Sequence, residues 1–322
     1  MKKPPFIART LFVALSLLAA SSAQALSSIN LDSYSVTGNY ALDTLNDMGL
    51  EASAVTYAKD RGSLFFVGDE GLGVVEMSLT GQTKGSKAFN WTGTGSSNND
   101  AEGLTYLGNG VLVVVDERPQ IAYQFDYDDL SSVVVLNNQP KVAITGSSTN
   151  VGNVGTEGIS FDPRDGRFFS VKQDGPAELR VATLNFAVGG GTTATTTLFS
   201  GTSALFGLNS LSDIQTLSSV DSLSGQEAAG NLLILSVDSK KLIEINSGGT
   251  VLSEFDLSGL TTQAIEGVTV DEKGTIYLVA EDSGTPNSRL FVLTAPVPEP
   301  ETYALLLAGL GLLGFMARRR KI

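Results

Sequence analysis

The stretch Glu102-Gly103-Leu104-Thr105-Tyr106 returns as Glu157-Gly158-Ile159-Ser160-Phe161 and again as Glu266-Gly267-Val268-Thr269-Val270. Looser copies stand at Ser53-Ala54-Val55-Thr56-Tyr57 and Ser212-Asp213-Ile214-Gln215-Thr216, so the unit recurs every 49 to 55 residues. A fixed period of about 40–55 residues marks propeller blades or a similar array. Each copy is followed by a second, nearly continuous apolar run: 64–67, 111–115, 167–171, 232–237 and 275–279. Runs of that kind suit strands covered on both faces. Gly-containing turns such as Lys59-Asp60-Arg61-Gly62 and Gly108-Asn109-Gly110 separate the first run from the second. Third strands alternate, as in 121–125 and 241–245, and fourth, outer strands are predicted at 132–136 and 250–257.

The fifth unit ends at Leu293 one strand short, while 28–36 carries short alternating runs with no inner strand ahead of it. The N-terminal segment therefore supplies the missing outer strand and closes the ring, which removes exposed sheet edges. The reading is an all-β chain with a single five-bladed β-propeller, preferred to a β-sandwich or a solenoid. A helical turn is expected near 42–48, and the Gly/Thr-rich run 188–197 is expected to be a flexible outer loop.

The two ends lie outside that body. Lys2, Lys3 and Arg9 precede an apolar run over 11–20, and Ala23-Gln24-Ala25 offers an A-x-A cleavage site, the pattern of a helical secretory signal peptide over 1–25. The propeller is expected over 26–295 and a separate C-terminal segment over 296–322. That segment holds Pro298, Glu299 and Pro300, then the apolar stretch from Tyr303 to Ala317, then the basic stop Arg318, Arg319 and Arg320. The apolar stretch is shorter than the ~20 residues that span a bilayer comfortably. Box, apolar transmembrane helix and basic end, in that order, resemble the PEP-CTERM sorting signal of exported bacterial proteins. The resemblance implies processing by an exosortase, transient membrane attachment through the C-terminal helix, and delivery to the cell surface or extracellular matrix.

Composition then narrows the chemistry. Seven of the 21 Lys and Arg fall in 1–25 and 303–322, which hold no acid, so the body between carries 14 cations against 34 acids, a net charge of −20. Such a polyanion repels nucleic acid and attracts cations. With no His and no Cys, imidazole- and thiolate-based catalysis and ordinary zinc sites are excluded. A bound metal would be a hard cation held by oxygen, with calcium the first candidate.

In a propeller the first strand of each blade lines the channel, so the residues that open these strands meet at one mouth. Glu102, Glu157 and Glu266 put carboxylates there, and Ser53 and Ser212 put hydroxyls. Antiparallel second strands return Asp69, Glu70, Asp116, Glu117, Asp174, Asp238, Glu281 and Asp282 to the same face. Converging acids in a narrow channel must be protonated, paired or bridged by a cation. Two readings stand: a channel cation on Glu102, Glu157 and Glu266, or structural acids salt-bridged by Arg118 and Lys172. Asn98-Asn99-Asp100 could add a ligand but reads more simply as a loop, and Trp91 more simply as packing between blades.

The segments Glu51 to Tyr57 with Val67-Gly68-Asp69-Glu70, Asp100 to Tyr106 with Val115-Asp116-Glu117-Arg118, and Ala264 to Val268 with Ala280-Glu281 resemble the SdiA-regulated family. That family is similar to NHL-repeat proteins, and the resemblance implies a five-bladed, calcium-binding propeller without a defined activity. Ser212 in place of Glu and the insert 218–229 depart from the pattern in the fourth unit. The expectation is an exported surface or matrix propeller that binds calcium and has a binding or scaffolding role in an exopolysaccharide setting, with exopolysaccharide or surface components as partners. The alternative is a calcium-dependent propeller hydrolase of lactonase or phosphoesterase type, in which Asp116, Glu117 or Glu281 would be the general base.

Overall fold

The computed structural model describes residues 28–43, 45, 47–201, 206–282, 286–296, 306–313 and 316. Among them the strands form five sheets set in a ring, as the repeat predicts. Blade 1 holds β1's successors β2 (Ala52–Ala58), β3 (Ser63–Gly68), β4 (Gly73–Met77) and β5 (Thr83–Asn90), where β1 is Ser35–Ala41. Blade 2 follows with β6 (Ala101–Gly108), β7 (Val111–Asp116), β8 (Ile121–Asp126) and β10 (Lys141–Ala143), while β9 (Val133–Val135) intervenes in sequence. Blade 3 is β11 (Thr156–Asp162), β12 (Arg167–Lys172), β13 (Glu178–Asn185) and β14 (Thr192–Ser200). Blade 4 is β15 (Asp213–Thr216), β16 (Leu232–Ser236), β17 (Lys241–Ile245) and β18 (Val251–Asp256). Blade 5 is β19 (Ile265–Val270), β20 (Ile276–Ala280) and β21 (Arg289–Thr294), and β1 completes it by antiparallel pairing with β21.

The core is divided among the blade interfaces. Neighbouring side chains on one strand serve different clusters: Phe65 packs with Tyr123 and Phe125 between blades 1 and 2, whereas Phe66 packs with Tyr277 and Leu290 between blades 5 and 1. Equivalent clusters fill the other three interfaces. The second strands are apolar at nearly every position because both of their faces are interfaces.

Four local expectations change. Closure comes from Ser35–Ala41, seven residues that only begin inside the expected segment. Residues 28–34 dock on blade 4 instead: Leu31 is buried there, its N–H donates to Ser253 Oγ at 2.9 Å, and Ile29 N–H reaches Glu244 Oε2 at 3.1 Å. The run around 132–136 is not the outer strand of blade 2; β9 pairs in parallel with β5 of blade 1, and β10 takes the outer place. The Thr-rich part of 188–197 is not a loop but β14, where β-branched residues favour a pleated, solvent-facing strand. Around 42–48 the described residues form turns and no helix.

The expected signal peptide over 1–25, the Pro298–Pro300 box and the basic stop Arg318–Arg320 lie outside the described residues. The expected transmembrane helix lies partly outside them; residues 306–313 are helical, with Leu306, Leu307, Leu310, Leu312 and Leu313 exposed. Among the described residues no helix is long and apolar enough to cross a membrane.

Candidate metal centre

The five inner strands β2, β6, β11, β15 and β19 contact one another in a closed circuit around the channel. Hydroxyls hold them together. Tyr106 N–H donates to Thr56 Oγ1 at 3.1 Å, Phe161 N–H to Thr105 Oγ1 at 3.0 Å, Thr216 N–H to Ser160 Oγ at 3.0 Å and Tyr57 N–H to Thr269 Oγ1 at 3.1 Å. Blade 4 has Gln215 at this position, and its Oε1 accepts from Thr269 Oγ1 at 3.1 Å. The Thr of the repeated motif is therefore the bond between blades. The glycine before it is a point of close approach: a Cβ on Gly103 would stand 3.0 Å from Glu157 O.

One residue ahead of that glycine, the register of the inner strand slips. The slip falls between Ala52 and Ala54, Ala101 and Gly103, Thr156 and Gly158, and Ile265 and Gly267. Ser53, Glu102, Glu157 and Glu266 are thus the extra residues of four β-bulges, a device that re-aims a side chain. Ser53 Oγ and Ser212 Oγ each accept the N–H of a residue just after the second strand, Asp69 at 3.2 Å and Val237 at 3.0 Å.

The three predicted glutamates share one mouth, with different neighbours. Glu102 lies close to Asp69 and Asp100: carboxylate oxygens of the three fall within 4.8 Å of one another. Glu157 stands beside Glu117, and Glu266 beside Ser53 and Glu281. Burial, then Glu266 and Asp69, holds the Glu102 carboxyl well above the usual carboxylate range. Burial, then Glu102 and Glu117, does the same to Glu157. Glu266 is pushed up to about 8 by burial, Glu281 and Asp69, and Asp116 to about 7 by burial, Asp100 and Glu117. Asp69 rises to about 6, chiefly through burial.

Neither expected cation reaches the glutamates. Arg118 Nε donates to Asp100 Oδ2, and its Nη2 to Asn153 Oδ1 at 2.5 Å. Lys172 Nζ is held by the backbone carbonyls of Asp174 and Pro176. Among the described residues no salt bridge involves Glu102, Glu157 or Glu266. Asp116 Oδ2 is buried without a hydrogen-bonding partner, and Glu117 Oε2 has none besides the neighbouring Glu157 carboxyl. The donor set is all oxygen, part of it unsatisfied, and it fits a hard cation of calcium type. Glu70, Asp174 and Asp238 are solvent-exposed and stay outside this group. Trp91 packs edge-on against Phe89 and Tyr123, a contact between blades 1 and 2.

Two further acids near the inner strands carry weak sequence signals. Glu51 sits at φ +50° beside Glu281, and burial pushes its carboxyl up to about 8. Asp213 occupies the position that is glycine in three other repeats. It is 3 % exposed, and its carboxylate accepts the N–H of Val268 at 2.7 Å and of Ile214 at 2.8 Å. Its departure from the motif was the signal.

Residues 27–291 match the family model described as SdiA-regulated, and residues 296–321 match the PEP-CTERM protein-sorting motif. Among solved structures, a luciferin-regenerating enzyme is similar at 10% identity and a TM-score of 0.46, with 80% of this chain and 94% of that one covered. The Swd1 β-propeller domain of Myceliophteria thermophila is similar at 12% identity and a TM-score of 0.39, covering 77% of this chain and 66%, just under two thirds, of that one. A catalytically inactive virginiamycin B lyase from Staphylococcus aureus gives 11% identity and a TM-score of 0.39, covering 76% and 66%.

Proposed function

Because the chain belongs to the SdiA-regulated family and ends in a PEP-CTERM sorting motif, we propose that it is a calcium-binding propeller with a binding or scaffolding role at the cell surface or in the extracellular matrix. The sorting motif indicates export and surface sorting and implies processing by an exosortase. In this reading a signal peptide over 1–25 and the tail over 296–322 flank a propeller body over 26–295, and exopolysaccharide or other surface components are its partners.

The observation that carries the calcium reading is the convergence of Asp69, Asp100 and Glu102. These acids come from the end of β3, the entry to β6 and the bulge of β6, so one ion would tie blade 1 to blade 2. Glu266 and Glu157 would complete the charge around it, directly or through water. Calcium takes roughly six to eight oxygens in loose geometry, and when bound it would neutralise carboxylates that burial otherwise keeps protonated. Titration calorimetry of the chelator-stripped protein tests this, beside a Glu102→Gln/Glu157→Gln/Glu266→Gln variant and an Asp69→Asn variant. Saturable binding by the wild type, lost or severely weakened in both variants, is expected. Absence of binding by the folded wild type would overturn the reading.

A calcium-dependent hydrolase is the second reading, and Glu117 is the reason. Its buried carboxylate, next to Glu157, lies within electrostatic reach of Glu102 and Asp100, as a general base beside a metal-bound substrate must. Turnover of a lactone or phosphoester that needs calcium and is lost in Glu117→Gln would establish it.

A further inference from the structure

The far end of the channel opens into a cavity of about 540 Å3, lined by residues from all five blades and from the insert of blade 4. This volume lies within the ~300–1,000 Å3 typical of small-molecule sites. Tyr57, Tyr106 and Phe161 each follow the hydroxyl position of the motif in three successive inner strands. All three half-buried residues line the cavity, and on their inner sides the rings pack against Tyr277, Phe65 and Phe168 respectively. Tyr106 Oη donates to Asp60 Oδ2 at 3.1 Å. The Tyr57 hydroxyl is drawn toward the Glu272 carboxylate, which that contact holds below its usual range. A phenol drawn toward a carboxylate has a more electron-rich ring, and aromatic faces attract cations.

The charges at this rim select the ligand further. Among the lining residues Lys59 is the one cation, and Asp221 already holds it at 2.7 Å. With Asp60 and Asp221 against Lys59, the lining carries a net negative charge, which favours a cation over an anion. The Lys59–Asp221 pair also shapes access. Lys59 belongs to blade 1 and Asp221 to the insert of blade 4, and Asp221 N–H is anchored on Glu272 O of blade 5 at 2.8 Å. The insert is thus a strap laid over blade 5, fastened by an ion pair exposed on both sides. Such exposed pairs hold weakly, so Asp221 is free to turn from Lys59 toward a bound cation.

We propose that this second mouth binds a small organic ammonium ion against Tyr57, Tyr106 and Phe161, with Asp60 and Asp221 as its counter-charges. The site is separate from the acidic mouth and does not depend on calcium there. Calorimetric titration of the purified full chain in chelator, with choline and with 3,3-dimethylbutan-1-ol, tests it, because the two probes share a shape and differ in charge. Saturable choline binding at least tenfold tighter than that of the alcohol is expected. Tyr106→Leu should weaken choline at least tenfold. Asp60→Asn/Asp221→Asn, which alters only exposed side chains, should weaken it at least fivefold, with an unchanged circular dichroism spectrum. Absence of choline binding, equal affinity for the alcohol, or wild-type affinity in the folded double Asn variant would each overturn the proposal.

Discussion

Phe161 donates its backbone N–H to the Thr105 hydroxyl at 3.0 Å, so an amide of blade 3 is held by a side chain of blade 2. Removing that acceptor without changing its shape leaves a buried amide unpaired, a loss of about 1–3 kcal/mol. Thr105→Val should lower stability by that amount in urea unfolding, and Thr105→Ser should recover most of it. Equal stability of the Val and Ser variants would show that packing alone joins the blades.

Gly158 lies against Asp213 of the next inner strand. A Cβ at this position would stand 2.4 Å from Asp213 Oδ1 and 2.9 Å from Ile214 N. Overpacking of this kind typically costs about 1–3 kcal/mol, so Gly158→Ala should reduce the melting temperature clearly. Gly259→Ala, where an added Cβ meets nothing within 4 Å, should stay within about 0.5 kcal/mol of wild type. The pair of variants separates close approach of strands from a general penalty for losing glycine.

The acidic mouth sets a pH dependence whose sign can be worked out. Glu266 is raised from 4.5 to about 8 and Asp116 from 3.8 to about 7. Between the ordinary and raised values the unfolded chain is ionised while the folded chain keeps its protons, so stability falls as pH rises through this window. Below the ordinary values this contribution is fully present. Bound calcium would favour the ionised carboxylates and oppose the fall. Thermal melts should therefore show a larger calcium-induced increase at pH 8 than at pH 4.5, the two ends of the Glu266 window. An increase independent of pH would argue that calcium binds elsewhere.

Strand β1 covers what would otherwise be the free edge of β21, with Val36 opposite Leu293 and Tyr40 opposite Leu290. Deleting Ser35–Ala41 should expose that edge and promote intermolecular pairing. Size-exclusion chromatography is expected to show oligomers and a lower melting temperature. A monomeric, equally stable deletion would mean that β1 is dispensable to the ring.

Much of this was legible because a propeller repeats one instruction. The Glu-Gly-apolar-Thr-aromatic unit and its looser copies in blades 1 and 4 marked all five inner strands, and the missing strand after Leu293 implied a closure borrowed from the N-terminus. The location of that closure was less legible. Ser35-Val36-Thr37-Gly38-Asn39-Tyr40-Ala41 is largely solvent-facing on an outer edge, so no apolar alternation marks it. Val133–Val135 misled for the opposite reason, since its apolar residues suit a strand in either blade and only the fold decides which. At the acidic mouth the repeat indicated that Glu102, Glu157 and Glu266 converge, but it also placed Glu70, Asp174 and Asp238 there, which stay exposed, and it left Asp100 in a plain loop. It could not show that Arg118 would turn to Asp100 and Asn153, or that Lys172 would turn to backbone carbonyls. Those choices depend on loop paths between blades.

Arg289 Nε reaches Asn39 Oδ1 across 250 residues of chain, at the seam where the first strand meets the last. That seam makes the timing of folding part of the design. Four blades can form as the chain emerges, but the circle stays open until β21 is available, and the sorting motif follows directly from residue 296. The ring then locks next to the sorting segment, so the last strand to complete the fold and the motif read in sorting are neighbours along the chain.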